Sequence, residues 1–140
     1  AECLPPNLLH LKLGLENCEH ITDIGVTCVA AKLQTLPLQT LELDLVSCHK
    51  LTDGSLLALA SKLPCTIVSL TVHFDYCSLI SDEGVKAFSH YLPDNLMNIT
   101  ATFKNTGCNT AFASAAQLRS HALGHAKSTA SKIGSALKLH

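Results

Sequence analysis

Tryptophan is absent from this 140-residue chain, methionine occurs once, and aromatic residues make up 4% of it. Many small, similar packing layers are therefore expected rather than one core centred on large rings. No apolar run reaches the ~18 residues that a membrane-spanning helix requires. The opening "AECLPPN" lacks the basic start and apolar stretch of a signal peptide. Beginning at Ala rather than Met, the sequence reads as either processed or a fragment. Catalytic signatures are missing too: there is no G-x-S-x-G, no H-E-x-x-H, and the 7 glycines are scattered rather than gathered in a phosphate loop. Cys18 and His20 are too close in sequence to face each other as nucleophile and base.

Acidic residues are missing from one end. All 11 of them lie at or before Asp94. Lys104, Arg119, Lys127, Lys132 and Lys138 follow without an acid among them. The asymmetry reads either as a basic interaction tail or as a solvated end.

What is present is leucine, alanine and a repeat. The length fits one domain. Aligned on cysteine, the chain shows "LHLKLGLENCEHITDIGVTCVAAKL", "LQTLELDLVSCHKLTDGSLLALASKL" and "IVSLTVHFDYCSLISDEGVKAFSHYL". Cys18, Cys48, Cys77 and Cys108 are 30, 29 and 31 residues apart. Leu11, Leu13 and Leu15 precede the first cysteine in alternation, as do Leu41, Leu43 and Leu45 the second, and Leu70, Val72 and Phe74 the third. Alternation of period two predicts a strand with one buried face. A Thr-Asp or Ser-Asp pair then predicts a helix start, with the short polar side chains capping free N–H groups. Val26, Val29, Ala30 and Leu33 fall on one helical stripe, as do Leu56, Leu59, Ala60 and Leu63, and Val85, Phe88, Ser89 and Leu92. Pro37, Pro64 and Pro93 follow the helices, where the chain turns back.

A cysteine that recurs at a repeat position is architecture rather than a nucleophile. It is expected to fill the corner between strand and helix as a buried thiol. With an odd total of 7 cysteines, free thiols in a reducing, intracellular compartment are expected rather than a disulfide framework.

The C-x-x-[I/L]-[T/S]-D corner followed by a helix, with L-x-L-x-L before it, resembles the leucine-rich-repeat family. The cysteine-containing subclass known from F-box substrate receptors is similar in motif, and ribonuclease-inhibitor-like repeats are similar in length. The resemblance is strong over 8–93 and weaker over 96–125. It implies an α/β leucine-rich-repeat solenoid of about four strand–helix units near 8–37, 38–66, 67–95 and 96–125, with right-handed crossovers. Residues 126–140 are expected to form a basic tail or a capping helix. The function implied is non-catalytic protein binding, as an adaptor or a small accessory subunit of a larger complex. A substrate-receptor fragment of a ubiquitin ligase is an alternative, although no F-box is visible.

Such solenoids bind through the exposed strand positions of a concave face. Here those are His10, Lys12, Gly14 and Glu16; Thr40, Glu42, Asp44 and Val46; Ser69, Thr71, His73 and Asp75; then Thr100, Thr102 and Lys104. The candidate partner-binding set is Lys12, Glu16, Glu42, Asp44, Thr71, His73, Asp75 and Lys104. Its acidic middle predicts a basic or polar partner patch. Four strands give a face about 15–20 Å wide, the size of one partner helix or loop.

The fourth unit carries a rival pattern. Cys108, Phe112, Leu118, His121 and His125 have the C-x3-F-x5-L-x2-H-x3-H spacing of the second half of a C2H2 zinc finger. The finger's first cysteine is missing, so Cys108, His121 and His125 are a three-ligand zinc alternative to a helix with two surface histidines. A nucleic-acid-binding element built on 103–125 and the basic tail is the corresponding alternative function. No resident cofactor is otherwise expected.

Overall fold

A computed structural model of the chain describes residues 4–108. The expected fourth helix, the pair His121 and His125, and the 126–140 tail lie outside the described residues. Four strands alternate with three helices: β1 (His10–Gly14), α1 (Asp23–Leu33), β2 (Thr40–Asp44), α2 (Asp53–Lys62), β3 (Ser69–His73), α3 (Asp82–Tyr91) and β4 (Asn98–Thr102). The strands are parallel and lie in chain order, β1-β2-β3-β4, in one open sheet. Parallel neighbours need a crossover, and each helix supplies one. The helices pack side by side, α2 against both α1 and α3.

The alternating leucines set the register. Leu11, Leu41, Leu70 and Ile99 are aligned across the sheet, and so are Leu13, Leu43, Val72 and Ala101. A slip of one residue would turn each of these side chains to solvent. They meet the helical stripes Val26, Ala30 and Leu33, then Leu56, Leu59 and Ala60, then Val85 and Phe88, all buried. The few large rings gather at one end of this core. Phe74 stacks on Phe103 at 5.8 Å between centroids, and Phe88 meets Phe103 edge-on at 6.4 Å.

Each strand ends in a corner with left-handed backbone, at Asn17 (φ 58°), Ser47 (φ 60°), Tyr76 (φ 64°) and Asn105 (φ 54°). The residue after the first three is the repeated cysteine. Its thiol does more than fill space. Cys48 Sγ donates to the Leu15 carbonyl at 3.1 Å, and Cys77 Sγ donates to the Leu45 carbonyl at 3.2 Å. Each thiol therefore ties its own corner to that of the preceding unit. Burial pushes both thiols above their ordinary range, Cys77 to about 11, so the donating proton stays in place at neutral pH.

The Thr-Asp and Ser-Asp pairs differ from the local capping expected of them. Thr52 does accept from the Gly54 N–H, at 3.2 Å, but Thr22 and Ser81 make no side-chain cap. The aspartates instead reach into the following unit. Asp23 accepts from the Thr52 N–H at 2.9 Å and from the Thr52 hydroxyl. Asp53 accepts from the Ser81 N–H at 2.7 Å and from the Ser81 hydroxyl at 2.5 Å. A carboxylate that accepts two such bonds is among the stronger polar contacts in a fold. It also explains Gly84, where a Cβ would fall on the Asp53 carboxylate.

The fourth corner departs from the cysteine alignment. Ile99, Ala101 and Phe103 occupy the inward positions, so Asn105 matches Asn17, and Thr106, not Cys108, stands at the cysteine position. Thr106 donates its hydroxyl to the Phe103 carbonyl at 2.9 Å, and Cys108 Sγ donates to Asp82 Oδ1 at 2.7 Å. Cys108 thus meets the aspartate that, in earlier units, would hold a threonine or serine. Gly107 allows the tight approach, because a Cβ there would lie 2.8 Å from the Ile80 carbonyl oxygen.

Candidate functional site

The exposed face of the sheet carries the expected residues in three cross-strand rows. Lys12, Glu42, Thr71 and Thr100 form one, and Gly14, Asp44, His73 and Thr102 the next. Backbone bonds continue the ladder past the strand ends, from Asn17 to Val46, Ser47 to Asp75 and Tyr76 to Lys104. They place Glu16, Val46, Asp75 and Lys104 in the third row. All eight candidate residues are thereby brought onto one face.

Several of them are already engaged. Lys12 Nζ lies 2.7 Å from Glu42 Oε1 across the β1–β2 pair. This hydrogen bond, with the nearby charge, holds the Lys12 ammonium above its ordinary pKa. Lys12 is largely in water and Glu42 is partly so, and the pair fixes position more than it stabilises the fold. His73 Nδ1 is 2.9 Å from Thr102 Oγ1. Asp44 Oδ1 accepts the Val46 N–H at 3.1 Å, and Asp75 Oδ1 accepts the Lys104 N–H at 2.7 Å. The Glu16 carboxylate folds over Gly14, where a Cβ would lie 2.9 Å from it.

The consequence is a revised charge pattern. Lys12 offsets Glu42 at one corner of the face. The negative charge is left on Glu16, Asp44 and Asp75, which lie in the second and third rows at the C-terminal ends of the first three strands. Each has a second carboxylate oxygen available as an acceptor. This arrangement can receive lysine, arginine or amide donors.

One exposed residue beside the third row escaped the sequence pattern. Tyr76 follows Asp75, is 52% exposed and adopts left-handed backbone. Asparagine tolerates that conformation and stands at two of the equivalent corners; a bulky side chain there is unusual. An aromatic ring held in water at a backbone cost is the kind of residue that interfaces use. Its left-handed corner, rather than the strand alternation, exposes it, which is why a period-two reading passes it by.

Among the finger-like ligands, Cys108 alone falls within the described residues. Among the described residues, no helix is long and apolar enough to cross a membrane. The chain matches no protein-family model and no curated protein.

Proposed function

We propose that the chain is a leucine-rich-repeat solenoid acting as a non-catalytic protein-binding module, an adaptor or small accessory subunit, with the exposed sheet face as its binding surface. The observation that carries this reading is the in-register grid itself. Four parallel strands each turn one face outward at matching heights, while β2 and β3 bury their alternate apolar residues. A rigid array of this kind positions many weak contacts at once, which suits recognition better than turnover. Glu16, Asp44 and Asp75, with Tyr76 beside them, favour a partner segment bearing basic and amide groups. The free, hydrogen-bonded thiols suit a reducing compartment.

The test is comparative capture. The wild-type chain and a Glu42→Lys/Asp44→Lys variant are used to retain partners from the cells that make the protein, with thermal melting of both. Loss of a stoichiometric protein with an unchanged melt supports the reading. Equal capture by both chains, at low and at high salt, contradicts the sheet face as the binding surface.

A further inference from the structure

The face of the first unit that looks away from the second is not finished. Leu11, Leu13, Leu15, Ile21 and Val29 are only half-buried, with Leu4 and Leu8 beside them, whereas their counterparts in the next unit are buried. Its polar groups are those that every later unit uses to dock on its predecessor. Thr52 and Ser81 hold the aspartate of the preceding unit, while among the described residues Thr22 holds none. The Cys48 and Cys77 thiols donate to a preceding carbonyl, while the equivalent Cys18 has no such partner among the described residues. The carbonyls of Gly14 and Glu16 stand where those of Asp44 and Val46 accept the Leu15 and Asn17 N–H groups, on the unpaired edge of β1.

Residues 4–9 indicate what belongs there. Leu63-Pro64 and Leu92-Pro93 close α2 and α3, and in each the prolyl carbonyl then accepts an N–H three residues on, from Ile67 at 3.1 Å and Leu96 at 3.2 Å. Leu4-Pro5 repeats this turn, with the Leu8 N–H donating to the Pro5 carbonyl at 3.2 Å. The same turn that follows α2 and α3 is thus set in front of β1.

We propose that this face binds one further strand–helix unit of the same kind, continuous with Leu4, whose helix runs into the Leu4-Pro5 turn and whose first helical residue is an aspartate held by Thr22. A head-to-tail second copy does not meet the requirement. The carboxylate would have to come from the residues after β4, and no acidic residue follows Asp94. The inference rests on the repeat reading of the fold and is independent of the binding role given to the sheet face.

The test extends the full chain. A second copy of residues 34–62 replaces residues 1–3, so that the copied helix runs into Leu4 and the copied Asp53 faces Thr22. Residue-level hydrogen exchange and thermal melts are recorded for both chains over a range of concentrations. The extension should slow β1 amide exchange by roughly tenfold or more and raise the midpoint of a single transition. Thr22→Val should remove part of that gain in the extended chain and leave the unextended chain unchanged. Three results would overturn the proposal: an added unit that stays unfolded beside an unaltered β1, a Thr22→Val loss of equal size in both chains, or concentration-dependent protection of β1 in the unextended chain, which would make the occupant a second copy. Partner capture on the Glu42 and Asp44 variants reads the sheet face separately, so either idea can fail alone.

Discussion

The first and second units share a sequence pattern and differ in how well it is satisfied. Leu41, Leu43 and Cys48 are buried to 1% exposure or less, while Leu11, Leu13 and Cys18 at the same positions are half-buried. Both units form the same strand and the same left-handed corner, and each starts its helix at the matching aspartate. Local pattern is therefore enough to specify the shape of a unit, but its stability comes from neighbours. An interior unit has an apolar layer on each side, one aspartate received and one given, and a thiol bonded backwards. The first unit has these on one side only. On the proposed solenoid reading, this is the expected division between intrinsic and interface terms.

The largest predicted effect probes the layer itself. Leu43→Ala should cost about 2–5 kcal/mol, as large-to-small changes in a sealed core do. Leu13→Ala should cost clearly less, because part of its surface is already in water. Chemical denaturation of both variants makes the comparison; equal losses would break it.

Next comes the aspartate relay. Asp53→Ala leaves the Ser81 N–H and hydroxyl without their acceptor, a loss of about 2–3 kcal/mol for a charged double acceptor. Gly84→Ala should also destabilise, by forcing the Asp53 carboxylate aside. Ser81→Thr, which keeps the hydroxyl, should lose little. A melt that shifted no more for Asp53→Ala than for Ser81→Thr would remove the relay as a stabilising element.

Tyr76→Asn addresses a smaller and opposite effect. Relief of left-handed backbone should raise stability by up to about 1 kcal/mol. If the ring contributes to binding, partner capture should fall at the same time. A neutral melt with full capture would return Tyr76 to an ordinary corner residue.

The thiols give a pH signature. The Cys77 thiol rises from its ordinary 9.0 to about 11 in the fold, so the folded chain holds a proton that the unfolded chain releases. Its contribution is complete below pH 9 and is lost as pH climbs through the 9–11 window. Cys77→Ala should flatten that part of the stability profile, as read by denaturation at stepped pH. The smallest effect is expected at Lys12→Ala, where an exposed ion pair should give a salt-sensitive change near the limit of detection.

Much of this was legible in the chain. Leu41, Leu43 and Leu45 announced a strand by alternation, and Leu56, Leu59 and Ala60 a helix by spacing, because both periods reflect backbone geometry. The exposed rows followed from the same register. Three features were not legible. The Asp23 and Asp53 carboxylates look like local caps, and only the stacking of units shows that they act on the next one. The cysteines look merely small and apolar, and only the corner geometry reveals the backward thiol bond. Cys108 looks like a fourth member of the series, yet Phe103 and Asn105 fix the register two residues earlier and leave Thr106 in its place. In each case the missing information lay between units, where a pattern read along the chain does not reach.

The measurement that tests this account most directly is native-state hydrogen exchange of the 140-residue chain, resolved by strand. If neighbours stabilise each unit, β2 and β3 should be the slowest to exchange and β1 clearly faster, despite its matching leucines. Protection of β1 equal to that of β3, at a concentration where the chain is a monomer, would contradict it.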